Sequence, residues 1–222
     1  MPEVAIQTQS LTRRFGNLTA VDGIDLQVTA GQFFGFLGPN GAGKSTTIKI
    51  LTGLLAPTSG SIQLLGVDFA ANPLEVKRQI GVVPEGMGLF ERLTGSEYLK
   101  FVGRMYGLDR ATTQRRSEEL LDFMQLADRP KTLIADYSHG MQKKLALAAA
   151  VIHGPRILFL DEPFEGVDAL AAGAHGGSRH NDLPDVPRPG NRRAAVQPYG
   201  HHSQGTACRP GFAGRIARGN FG

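Results

Sequence analysis

Residues 35–54, GFLGPNGAGKSTTIKILTGL, leave an apolar run, pass through a glycine-rich loop and reopen as a helix, an order that few folds admit. Gly38, Gly43, Lys44 and Ser45 fill the pattern G-x-x-x-x-G-K-[ST]. Gly38, Gly41 and Gly43 let the backbone curl until successive N–H groups converge into a nest for phosphate oxygens. A helix starting at about Lys44 adds the positive end of its dipole. In that setting Lys44 is the mobile cation for β- and γ-phosphates, the Ser45 hydroxyl is a natural Mg²⁺ ligand, and Thr46 lies near an α-phosphate. A glycine-rich loop that merely precedes a lysine would not need the flanking context. Here Gln32–Leu37 (QFFGFL) reads as a buried parallel strand, and Ile48, Ile50, Leu51 and Leu54 follow at helical spacing. Alone, the loop says NTPase or kinase.

The chain has 222 residues, of which 41% are hydrophobic, enough for one large or two small domains. It contains no apolar run of the roughly 18 residues a membrane span needs, and its start, MPEVAIQTQSL, lacks the order of a signal peptide. A soluble, cytoplasmic protein is expected. The single cysteine, Cys208, agrees with a reducing compartment. The formal charge of +4 is not a nucleic-acid footprint, because residues 171–222 carry +5 (seven Arg, no Lys, two Asp) and residues 1–170 carry −1. No nucleic-acid partner is expected.

Along the chain, VAIQTQSL alternates like an edge strand, LTRRFGN reads as a turn, and GIDLQVTAGQFFGFL as two strands joined through Thr29-Ala30-Gly31. Phe15 stands upstream of the loop. It either plugs the sheet edge or offers its ring to a purine base, and local pattern leaves both open. A short strand over Ser61–Leu65, a helix in ANPLEVKRQI and a buried strand in IGVVP, ending at Glu85, come next. Residues 86–137 turn helical and polar, with Leu120, Leu121, Phe123 and Met124 clustered, and Ser138 caps a further helix through Ala150. The reading is an inserted helical lobe at about 86–150. The fold class is α/β: a mostly parallel core sheet, an antiparallel N-terminal flank and this lobe.

Ile157–Leu160 is an apolar strand that delivers Asp161 and Glu162 at its C-terminal end, the edge where open parallel sheets bind ligands. Four buried apolar residues seldom lead into paired acids without a cation or catalysis to justify them. Asp161 suits the Mg²⁺ shell and Glu162 the attacking water.

With these motifs in order, the chain resembles the nucleotide-binding subunit of an ATP-binding cassette (ABC) transporter of the exporter-like kind, from about residue 4 to 170. The resemblance makes GPNGAGKST (Gly38, Pro39, Asn40, Gly41, Ala42, Gly43, Lys44, Ser45, Thr46) the Walker A loop, ILFLDEP the Walker B strand and YSHGM, with Ser138 and Gly140, the family signature. It implies that Phe15 stacks on adenine, that Glu85 holds the place usually taken by a metal-contacting Gln, and that Asp168 is the D-loop aspartate. It further implies a P-loop NTPase fold, ATP and Mg²⁺ as cofactors, and Glu162, Lys44 and Glu85 as catalytic residues. Two nucleotide-binding subunits, alike or different, would close head to tail on two ATP molecules and drive a separate membrane permease from the cytoplasmic side. His139 and Met141 depart from the usual signature, Glu85 from the usual Gln, and no Ser-His pair, the family's switch histidine, follows Asp168. A non-transport cassette ATPase would predict a fused second cassette or a long coiled coil, and the third reading is an inactive product.

Residues 171–222 hold ten Gly, five Pro and seven Arg with hardly any aliphatic periodicity, no basis for a buried strand. The genetic code offers an account. Asn181–Arg188, NDLPDVPR, has codons AAY GAY CTN CCN GAY GTN CCN CGN, which read one base late permit TIFLTSH, an apolar strand ending in the missing Ser-His pair. RPGNRRAAVQPYG likewise permits VLEIVERLCSHM, and HHSQGTACRPG permits IIHKGRLVAQG. The tail is therefore read as the family's C-terminal segment in a shifted frame, with its own terminal strands missing and the segment disordered.

Overall fold

The computed structural model describes residues 3–39, 41–161 and, as backbone, 194–199. These divide into two compact units, one built from the residues up to Val82 with Arg156–Asp161 and 194–199, the other from Val83–Pro155.

The first unit opens with β1 (Val4–Phe15) and β2 (Leu18–Thr29), an antiparallel pair, followed by β3 (Phe33–Leu37) and α1 (Lys44–Leu51). Strands β4 (Ser59–Leu64) and β5 (Val67–Asp68) complete an antiparallel sheet of order β2-β1-β4-β5. After α2 (Pro73–Gln79) come β6 (Ile80–Val83) and, much later, β7 (Ile157–Leu160). The antiparallel flank foreseen from sequence is present. The strand predicted as an edge is not one, because β1 lies between β2 and β4 and runs on through LTRRF to Phe15. Its alternation breaks at Gln9-Ser10, where Ser10 adopts φ 47 and the register shifts. Gly60 of β4, at φ +91, accommodates the bulge, since a Cβ there would lie 2.5 Å from the Ser10 carbonyl oxygen.

A helix of eight residues such as α1 is too short to persist alone. Its buried Ile48, Ile50 and Leu51 join Ile6, Leu11, Val28, Ile157 and Phe159 in one core. Each such side chain stabilises by about 1.5–3 kcal/mol, which is what holds the helix in register behind the loop.

The second sheet has order β3-β8-β7-β6, with β8 (Ala194–Tyr199) parallel to both β3 and β7. This bears out the parallel core and corrects the expectation that 171–222 supplies no strand. The physical reason is backbone chemistry: a slot between two strands presents rows of N–H and C=O groups that any extended segment can pair, whatever its side chains. The rest of the tail, with the expectation that it is disordered, lies outside the described residues.

The second unit holds α3 (Gly95–Met105), α4 (Arg110–Phe123) and α5 (His139–Val151) around fully buried Leu99, Ile134, Leu145 and Ala148. Thr94 and Glu97 form a capping box at the start of α3: Thr94 N–H and Oγ1–H donate to Glu97 Oε2 at 2.8 and 2.9 Å, and Glu97 N–H donates to Thr94 Oγ1 at 3.3 Å. Asp109 caps α4 by accepting from Thr112 N–H at 2.9 Å. Hydrogen bonds from the Thr94 backbone and then its hydroxyl hold the Glu97 carboxyl below its ordinary value, and those from Thr112 do the same for Asp109. Because both folded values are depressed, this stabilisation is present above the unfolded carboxylate range and is lost as pH falls through the folded values. Amide exchange in the first turns of α3 and α4 is expected to quicken as pH falls below about 4, beyond the intrinsic pH trend of exchange. Unchanged protection there would refute it. No helix among the described residues is long and apolar enough to cross a membrane.

Candidate functional site

The loop between β3 and α1 is shaped by its glycines. Gly41 and Gly43 sit at φ +82 and +81, and at Gly43 a Cβ would lie 2.2 Å from the Ala20 carbonyl oxygen and 3.6 Å from Val21 Cγ2. The β1–β2 hairpin thus presses its backbone onto the loop, an approach only glycine allows. Gly43 is also the N-cap of α1 and offers no side-chain oxygen to the first-turn N–H groups, leaving that helix end without a side-chain cap of its own. Gly43→Ala is expected to abolish phosphate binding and to lower the melting temperature. The left-handed backbone alone costs about 1–2 kcal/mol for a residue with a Cβ, before the clash with Ala20. Isothermal titration with ATP and a thermal melt check it, and wild-type affinity in the alanine variant would overturn it.

Lys44 is buried, and its Nζ donates to the carbonyl oxygens of Gly38 at 2.8 Å and Pro39 at 2.9 Å. The ammonium clasps the loop from inside. Thr47 N–H and Oγ1–H each donate to Gly43 O at 2.8 Å, and Ala42 N–H donates to Pro39 O at 3.2 Å. Ser45 Oγ donates to Asp161 Oδ1 at 3.1 Å, a contact spanning 116 residues. Asp161 is itself buried, 4% exposed, at the C-terminal end of β7. The strand end and the loop are thereby joined: a buried carboxylate and a hydroxyl face each other beside a lysine and a helix N-terminus. That arrangement can hold phosphate oxygens and a hard cation between them. Among the described residues no three His, Cys, Asp or Glu side chains gather as an all-protein metal cage.

Phe15 lies at the tip of the β1–β2 hairpin opposite Leu18, 44% exposed. Here β1 pairs with β2 alone, its ladder with β4 having ended at Thr12. Thr46 follows Ser45 in the first turn of α1, half-buried. Glu85, exposed just beyond β6, and Ser138 and Gly140 belong to the second unit. There Ser138 caps α5 as foreseen, its Oγ accepting from Met141 N–H at 3.3 Å. Asn40, Glu162 and Asp168 lie outside the described residues. Arg13 was missed from sequence. Its Cζ stands 4.5 Å over the Phe15 ring, while Nη1 donates to Ala56 O at 2.9 Å.

The site defines a nucleotide-type phosphate loop at the end of β3, in a parallel sheet where β7, the next strand but one, leads into a buried carboxylate. The family model described as ABC transporter matches residues 21–165, and the chain belongs to that family. It is 43% identical over 167 residues to a daunorubicin/doxorubicin resistance ATP-binding protein of Streptomyces peucetius, covering 75% of this chain and 51% of that protein. It is 38% identical over 165 residues to a bacitracin transport ATP-binding protein of Bacillus licheniformis, covering 74% and 53%. The chain thus spans about half the length of these curated relatives. A solved structure of the ATP binding subunit of an ABC transporter superposes with a TM-score of 0.73 at 28% identity, over 88% of this chain and 79% of that one.

Proposed function

We propose that this chain is built as the ATP-binding and ATP-hydrolysing subunit of an ABC exporter, pairing with a second nucleotide-binding subunit to drive a separate membrane permease from the cytoplasmic face. The observation that carries it is the 3.1 Å bond from Ser45 Oγ to Asp161 Oδ1, which brings the loop and the end of β7 to one point. The residues fit a Mg²⁺ ion. Adjacent ligand oxygens around Mg²⁺, at about 2.1 Å from the metal, are about 3 Å apart, close to the spacing of this pair. When bound, Mg²⁺ neutralises charge on the transferring phosphate oxygens. Lys44 and the first-turn N–H groups of α1 hold the phosphates, Ser45 and Asp161 orient the cation side, and Phe15 takes the adenine ring. Glu162 accepts a proton from the attacking water, with Glu85 as a further contact to the cation. Ser138, Gly140 and Asp168 act across the dimer seam. The names of the two relatives, one for drug resistance and one for bacitracin transport, support the exporter reading. Fluorescent ATP binding to wild-type, Lys44→Ala and Glu162→Gln chains tests it, and equal binding by the Lys44 variant overturns it.

A second reading concerns this particular chain: it is the frameshifted, catalytically inactive product of such a gene. Two observations favour it. The tail's shifted reading permits TIFLTSH, and β8 carries Pro198 opposite Phe36 of β3, two residues past its last pair with β7 at Val196, a residue that gives that ladder no N–H.

A further inference from the structure

We infer that Arg13 is a positioning residue for the base-stacking platform: it covers one face of Phe15 and leaves the other for a nucleobase. This rests on Phe15 being the platform proposed above. Arg13 and Phe15 stand two residues apart on an extended strand, the spacing that puts side chains on one face. The guanidinium carbon is 4.5 Å from the ring centroid, the range of a cation–π contact. The group is not a loose surface charge. Nη1 is tied to the Ala56 carbonyl at 2.9 Å, and Nε is shielded from solvent with no hydrogen-bond partner among the described residues. Nearby, Arg14 N–H donates to Thr58 Oγ1 at 3.0 Å and Thr58 N–H donates to Thr12 O at 2.8 Å, so the Ala56–Thr58 loop fixes the strand on which both side chains ride.

The hairpin tip is in turn fixed to the phosphate loop. Phe15 pairs with Leu18 and Arg13 with Val21, while the Ala20 carbonyl between them abuts Gly43. A ring anchored this way cannot turn freely, and a cation against one face leaves a single face on which to stack. The polarised ring also favours an electron-rich base on that free face.

The test is isothermal titration of the 222-residue chain with ATP and, separately, inorganic triphosphate, which has no base. Arg13→Gln is expected to weaken ATP about 3- to 10-fold, the worth of a partly desolvated cation–π contact, and to leave triphosphate unchanged. In the Phe15→Ala background Arg13→Gln should change nothing further, and Arg13→Lys should recover part of the loss. If both ligands weaken together, Arg13 acts as a general charge and the inference fails. If Phe15→Ala weakens ATP and Arg13→Gln does not, the inference fails while the platform stands. If Phe15→Ala leaves ATP binding intact, the platform itself is wrong. Should Arg13→Gln not fold, Arg13→Lys carries the same comparison: ATP affinity between wild type and Phe15→Ala, at wild-type triphosphate affinity, supports the role, and any other result overturns it.

Discussion

Lys44→Ala is expected to remove nucleotide binding while Glu162→Gln keeps it. Lys44 is only 8% exposed and spends its ammonium on two carbonyls of its own loop, Gly38 and Pro39. Its loss removes both the clasp on those carbonyls and the cation that would meet phosphate. Hydrogen bonds to a charged group contribute about 1.5–3 kcal/mol each. The same ammonium turned onto phosphate oxygens would make bonds of that strength, and losing two such bonds weakens binding by roughly 100-fold or more. The side chain of Glu162 serves the water in the proposed mechanism, and its amide should leave ground-state binding intact while hydrolysis stops. Fluorescent ATP titration reads the first effect. A circular dichroism melt of the Lys44 variant distinguishes a lost site from a lost fold.

The contrast between what the sequence foretold and what it missed follows from the range of the forces involved. The loop, α1, β7 and the cap of α5 at Ser138 were legible because each is set by neighbours within a few residues: glycines at forced backbone angles, an apolar run of strand length, a side-chain oxygen three residues ahead of its donor. Strand order is not local, and β1 was misplaced at an edge for that reason. Its length was misread because the bulge at Ser10 depends on Gly60, fifty residues away and silent in the local pattern. The same error hid Arg13. Read as a turn, LTRRFGN puts no two side chains on one face; read as a strand, its period of two sets Arg13 beside Phe15 at once. The joining of Ser45 to Asp161 needed the chemistry of the two motifs, since both suit the same cation, and no periodicity would have revealed it.

The chain as written is expected neither to form an ATP-dependent dimer nor to hydrolyse ATP, and a one-base frame correction is expected to restore both. The argument begins at the slot between β3 and β7. Strand β8 occupies it through residues 194–199, with Pro198 at the register of Phe36. The pairing with β7 ends at Val196, so Pro198 has β3 alone beside it, and to that ladder it brings no N–H. The alternative filler is encoded nearby. Read one base late, codons 181–188 permit TIFLTSH, in which Thr, Ile and Phe favour a buried strand and the closing Ser-His pair would arrive at the sheet edge that already carries Asp161. Any one of these matches is weak, because the middle bases are free; a uniform shift that fits some thirty consecutive codons is not. The shift is expected to begin between about Leu170 and Arg179, through a small deletion whose length is not a multiple of three. Sequencing the DNA across codons 165–215 decides the premise, and a later frame that fails to encode TIFLTSH ends it. Size-exclusion chromatography with ATP and a phosphate-release assay then compare the two chains. Turnover by a monodisperse, ATP-dependent dimer of the present 222-residue product would refute the expectation, and turnover only after the frame is restored would make the recovered histidine the next residue to mutate.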